Sequence, residues 1–579
     1  MVGRGNGVGT SRGSVRVGRE ALLRKALLGS TALVGVAIAS PALAQTSANG
    51  GHVTSTYSST VNGGGANQGT TAVFSGAGGV TVDGATINNT TGTPNDNGLH
   101  LQNSGGSGFG ITYANNASTL TTTQSGGAAA YISQTGANLG ISHNVSGNVF
   151  TGSYGERYAS SGSIFYEMSG GGGSDIYVGN GTAVAGVHLT AGGFTSAAFN
   201  APTISGFATG IYANGSQGAS VSTLGGTISA TGTGIYVTGA GVGVDSKTAI
   251  TAPIGIDAVS TDGAGITTSG AGTINGGNYG IRSVVSAGTG PTVINVGAAI
   301  GGSTAPTTGV DARANGTSTG SVSITNTAAI TATGNAIYTS SNATSGNVLN
   351  LNANVTGNGL AAVQAVGQGY TINVGAAATV TSGSNNGRTI LVQSGDATLV
   401  NAGTISNTHA TGNSAVQFGQ AGNLTNTGSI TTVGSAIAVS ANTGLTLSNS
   451  GTIAAGGTGI YAGGTGNVSI TNLSGGSITG NGGGGSTPAI ALFNSGGGTN
   501  TLDLRAGSTT GGVTSIASGA TTVTLAGTMT GNYSAGSSTG VNSFTLASTG
   551  SMQGATLGSA NDVFNWNGGT IAGLSLIHI

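Results

Sequence analysis

The chain has 579 residues, 116 of them Gly and 7 Pro, with no Cys and only 4% charged residues. Ordinary globular proteins carry about 25% charge, and disordered chains pair low hydrophobicity with high net charge. Here 37% of residues are hydrophobic and the net charge is -1, so neither class fits. Six of the 12 basic residues fall in the first 25 positions (Arg4, Arg12, Arg16, Arg19, Arg24 and Lys25), beside the acid Glu20. The remainder is weakly acidic and lacks a basic cluster, which excludes a surface built for nucleic-acid phosphates.

In chain order, residues 1–44 read as a secretory signal peptide. A basic region ends at Arg24-Lys25, an apolar run follows from Ala26 to Ala39, and Ser40-Pro41 breaks it. Ala42-Leu43-Ala44 supplies the small-x-small cleavage site, with Gln45 next. The apolar run is too short to span a bilayer comfortably. Residues 45–200 form a less regular N-terminal β-helix or cap, in which Val80-Thr81-Val82 and Ile87 read as one coil. Within it, 150–180 gathers Tyr154, Glu156, Arg157, Tyr158, Phe165, Tyr166, Glu167, Asp175 and Tyr177. That stretch is expected to project from the body as a loop or small subdomain.

Residues 201–573 carry a repeat. An apolar position recurs at Ile204, Ile228, Ile250, Ile274, Ile300, Ile330, Val355, Val380, Ile405, Ile430, Ile453 and Ile478, with steps between 22 and 30 and a mean close to 25. A second apolar residue often follows seven later, at Ile211, Ile235, Ile281, Ile337, Ile437 and Ile460. A third segment alternates apolar and small polar residues, as in Val322-Ser323-Ile324, Leu445-Thr446-Leu447 and Val468-Ser469-Ile470. Period-2 alternation marks strands with one buried face. Three short strands per coil of about 25 residues predict an all-β, right-handed parallel β-helix, a solenoid with buried Ile and Val ladders. Asn326, Asn401, Asn426 and Asn449 each precede a marker by four, where an Asn can hold a turn and bond its copy in the next coil.

The search for chemistry finds no catalytic residue, no cofactor site and no metal cluster. His52, His100, His143, His188, His409 and His578 show no metal-ligand spacing. Asp245, Asp257 and Asp262, near Lys247 and Arg282, come closest to an acid cluster and default to solvated turn residues. Gly170–Val178 matches one copy of a calcium-binding nonapeptide, which makes Asp175 a weak calcium candidate; calcium in that motif needs adjacent copies.

With these features in view, the chain resembles the passenger region of a Gram-negative autotransporter. Asn561-Asp562-Val563-Phe564-Asn565-Trp566-Asn567-Gly568-Gly569-Thr570-Ile571 is similar to repeats seen late in such passengers. The resemblance implies export through the periplasm, secretion by a C-terminal β-barrel translocator, and residence on the outer-membrane surface or outside the cell. It implies an adhesin or biofilm-type protein whose partners are a host or abiotic surface or other cells. No barrel follows within the chain, and residues 574–579 break its style, as a truncated or artefactual terminus would. The alternatives are a passenger enzyme (polysaccharide lyase or protease) and an exoprotein of two-partner secretion.

Overall fold

The structure is a computed structural model. It describes the strands between Gln45 and Asn116, residues 97 and 98, and residues 118–573 less 146, 169–174, 180–182, 482–486 and 559–560. The expected signal, with Ala42 and Ala44, and the terminus at 574–579 lie outside the described residues. Gln45 opens the first described strand, Gln45–Ala48.

The described regular elements are all strands, stacked in parallel as a β-solenoid of three sheets. One coil shows the plan. Its strands are Ala397–Asn401, Thr404–Asn407 and Ser414–Phe418. Each pairs in parallel with its counterpart one coil on: Ala421–Asn426, Ser429–Thr432 and Ile437–Ala441. Alternate side chains point inward, so a residue is buried or exposed according to parity.

The marker positions form one continuous ladder. Each of the twelve sits opposite the next in the backbone register, and none is more than 1% exposed. Burying such a side chain is worth about 1.5–3 kcal/mol, so each coil adds its own increment. The ladder also extends upstream by register through Tyr177, Phe150, Leu120, Ile87 and Val61. There the steps are 27, 27, 30, 33 and 26, which blurs the period across residues 45–200. Downstream, Thr510 takes the position after Ile478, and Met529 follows.

The second ladder runs through Ile211, Ile235, Ile256, Ile281, Val310 and Ile337. Ile437 does not belong to it. Val439, two residues later, pairs with Val416 and Ile460, while Ile437 lies at the corner opposite Ser414.

The described residues of 150–180 lie within the stacked coils. Their strands are Val149–Gly152, Tyr154–Ser160, Ile164–Met168 and Ile176–Gly179, all paired in parallel with neighbouring coils. Period-2 alternation turns Phe150, Tyr158, Tyr166 and Tyr177 inward, each no more than 2% exposed. The aromatic residues fill the interior in place of aliphatic ones.

Between 203 and 285, two faces merge into single bent strands, such as Thr203–Gly215 and Thr227–Gly239. A column of Gly210, Gly234, Gly255 and Gly280 lines the bend. A Cβ on any of them would lie 2.4–2.5 Å from Cγ2 of the marker Ile one coil on, and 2.5–2.6 Å from the next glycine's carbonyl oxygen. Further along, Ala336 and Ala362 occupy the same column, and the two faces are separate strands, as in Ile330–Ala332 and Ile337–Ser341.

Candidate interaction face and buried ionic cluster

Two features depart from the plain Gly/Thr/Asn coil. The first is inside. His143 stands on the strand Asn138–Val145, Glu156 on Tyr154–Ser160 and Asp175 just before Ile176–Gly179, and all are 0% exposed. His143 Nε2 lies 3.1 Å from Glu156 Oε1, and its Nδ1 lies 2.7 Å from Asp175 Oδ2. Asn148 donates to Asp175 Oδ1 through both its backbone N–H and Nδ2, each at 3.0 Å. Tyr158 donates to Glu156 Oε1 at 2.5 Å. The Tyr166 and Tyr177 hydroxyls reach Glu156 Oε2 at 2.9 and 3.2 Å. Burial pulls the charged imidazole of His143 down, but the Glu156 and Asp175 carboxylates outweigh it and hold the group up at about 9. Burial, then the nearby Glu156 charge, pushes the Tyr166 and Tyr177 phenols well above their ordinary range. The cluster is a protonated histidine sandwiched between two carboxylates, sealed from any substrate. Asp175, the calcium candidate, sits here. Its oxygens accept protein N–H groups, an environment for a hydrogen-bonded carboxylate rather than a cation ligand. Gly170–Ser174 of that motif lie outside the described residues. Among the described residues, no group of three or more His, Asp or Glu could hold a metal ion.

The second feature is outside. The residue after each second-ladder position faces outward, and register stacks these residues into one column along the rod. It begins His100, Tyr131, Arg157, His188, Tyr212 and Tyr236. Asp257, Arg282, Asp311, Tyr338 and Gln364 continue it in register, with Asp257, Asp311 and Gln364 buried beneath their neighbours. Strand spacing puts successive members about 4.7–4.9 Å apart. The rings pack on one another: His100 on Tyr131 at 5.0 Å, His188 on Tyr212 at 4.3 Å, Tyr212 on Tyr236 at 5.1 Å. The Arg157 guanidinium sits 5.1 Å from both the Tyr131 and Tyr154 rings. In the charged stretch, Arg282 Nη1 meets Asp257 Oδ2 at 3.3 Å. Arg313 grips Asp311 with Nε at 2.7 Å and Nη2 at 2.9 Å, and lies over Tyr338 at 4.9 Å. Burial, and secondarily the Arg157 charge, drives His188 down to about 4, so this imidazole is neutral at physiological pH. No known protein family, curated protein or solved structure matches this chain.

Of the acid cluster weighed from sequence, the structure brings together only Asp257 and Arg282, and adds Asp311. Asp245 stands on another face, opposite Ser222 and Thr267. Lys247 follows that strand, and Asp262 accepts the Thr289 and Gly290 N–H groups at 3.2 and 2.8 Å in a turn. Burial raises the Asp257 carboxyl; Arg282 opposes that and Asp311 adds to it.

The Asn turns behave as expected in part. Asn401 donates to Asn426 at 2.7 Å, Asn426 to Asn449 at 2.7 Å, and Asn449 to Asn472 at 2.9 Å. Asn472 closes the ladder on Thr510 Oγ1 at 3.0 Å. Asn326 stands apart because its neighbour one coil on is Leu351, and it donates to the carbonyls of Ala328 and Ala353 instead.

Proposed function

We propose that the chain is the passenger of an autotransporter-type exported protein, acting as a structural or adhesive rod on the outer-membrane surface and not as a catalyst. The observation that carries this reading is the coil-to-coil parallel pairing, which lays one column of aromatic and polar side chains along the rod. Many weak contacts in a row give avidity beyond any single contact. The partners of this reading are a host or abiotic surface or other cells on the binding side, and a C-terminal β-barrel translocator on the export side. Its test is display of the complete gene on a non-adherent Gram-negative cell. Cells carrying it should retain on surfaces or on one another at least tenfold better than vector controls; equal retention sinks the reading.

The approach of Asp257 and Asp311 to Arg282 favours one second reading, an enzyme that cleaves polysaccharides on a β-helical body. It requires release of new sugar ends from a polysaccharide panel, abolished by Asp257→Asn.

A further inference from the structure

We propose that the outward column from Tyr131 to Tyr236 binds an uncharged linear polysaccharide lying along the rod axis, about one sugar per coil. This rests on the adhesive reading and names its ligand.

The first argument is spacing. Column members recur at the strand separation of about 4.7–4.9 Å, similar in length to the repeat of an extended pyranose chain. A polymer with that repeat meets an equivalent position at each coil, whereas a globular partner would use only part of so narrow and long a row.

The second argument is the chemistry of the tips. Tyr131, Arg157, Tyr212 and Tyr236 end in planar polar groups and are each partly exposed. Between coils the rings of His100 and Tyr131, and of Tyr212 and Tyr236, stack, while His188 meets Tyr212 edge-on. Such tips are hydrogen-bond donors and acceptors for hydroxyls, with apolar ring edge between them for sugar C–H groups. His188 serves the column as a packed ring, its Nε2 lying 3.2 Å from Thr190 Oγ1. The rings hold one another in place, so little side-chain entropy is lost on binding.

The third argument is charge. The acids on the column are matched by arginines, Asp257 by Arg282 and Asp311 by Arg313. Only Arg157 stands over rings without an acid in the described ion pairs. A face so nearly neutral does not attract a polyanion, whose binding would need rows of cations.

The experiment is sedimentation of the full chain with insoluble cellulose, chitin and β-1,3-glucan, with acidic polygalacturonate as a further arm, followed by calorimetry on the matching soluble hexasaccharide. The expected result is binding to at least one neutral polymer. The double variant Tyr212→Ala/Tyr236→Ala should lose tenfold or more in affinity with unchanged far-UV circular dichroism. Tyr212→Phe, which keeps the ring, should lose less, and Thr446→Ala on another face should bind as wild type. The proposal is overturned if no neutral polymer binds, if only the acidic polymer binds, or if the double variant binds as wild type. It is equally overturned if the double variant changes only self-association in sedimentation velocity, which would make a second copy the occupant. Displayed cells that adhere while the purified chain ignores every polysaccharide would remove the ligand and leave the adhesive reading standing. Loss of both removes both.

Discussion

His143 is where a single residue decides most. The repeated Ile and Val ladders tolerate a slip of one coil, because the next coil offers the same chemistry. A slip would instead strip Glu156 and Asp175 from His143, and an uncompensated buried charge costs about 3–5 kcal/mol. The cluster therefore pins register at one place in a repetitive chain. It also makes stability depend on pH. The folded imidazole holds its proton up to about 9, against 6.5 unfolded. That stabilisation is complete below 6.5 and disappears as pH rises through about 9, a change on the order of 3 kcal/mol. Hydrogen exchange read on peptides covering 130–180 should show protection, corrected for intrinsic rates, falling over that window. His143→Gln should lower protection at pH 6 and flatten the slope. An unchanged slope in the variant would place the titration elsewhere.

At the scale of the strand, the glycine column sets what the bend tolerates. Gly255→Ala forces a methyl to 2.4 Å from Ile274 Cγ2 and 2.5 Å from the Gly280 carbonyl, and overpacking of this kind costs about 1–3 kcal/mol. Gly265 is the control: nothing lies within 4 Å of a Cβ there, and Gly→Ala in a strand gains about 0.5–1 kcal/mol. Exchange protection of Ala249–Ser260 should fall in the first variant and hold or rise in the second; equal effects would show that the bend absorbs the methyl. This scale also explains what could be read beforehand. The Ile ladder was legible because one residue type returns at one step. The stacked Asn turns were legible for the same reason. The outward column was not, since Tyr212, Asp257, Arg282 and Gln364 share a position but no chemistry, and only register lines them up. The inward cluster was hidden because Glu156 and Asp175 occupy parity positions that belong to apolar residues elsewhere.

For the whole molecule, each coil touches only its two neighbours, so stability sums over coils and interfaces rather than over one core. Unfolding then need not be all-or-none. The single Trp, Trp566, sits in the last described coil and is 59% exposed. Its fluorescence should change at lower denaturant than the far-UV circular dichroism of the rod; coincident midpoints would mean the solenoid melts as one unit. The stacking direction has a mechanical corollary. Hydrogen bonds between coils run along the rod, so tension on the ends loads them directly and peels coils one at a time. A coil adds about 4.7–4.9 Å to the folded length, yet its roughly 25 residues, drawn out at about 3.3–3.6 Å each, supply some 80–90 Å of slack. If the rod is adhesive as proposed, a shearing flow would lengthen it in steps, and each step would relieve the pull on the surface it holds.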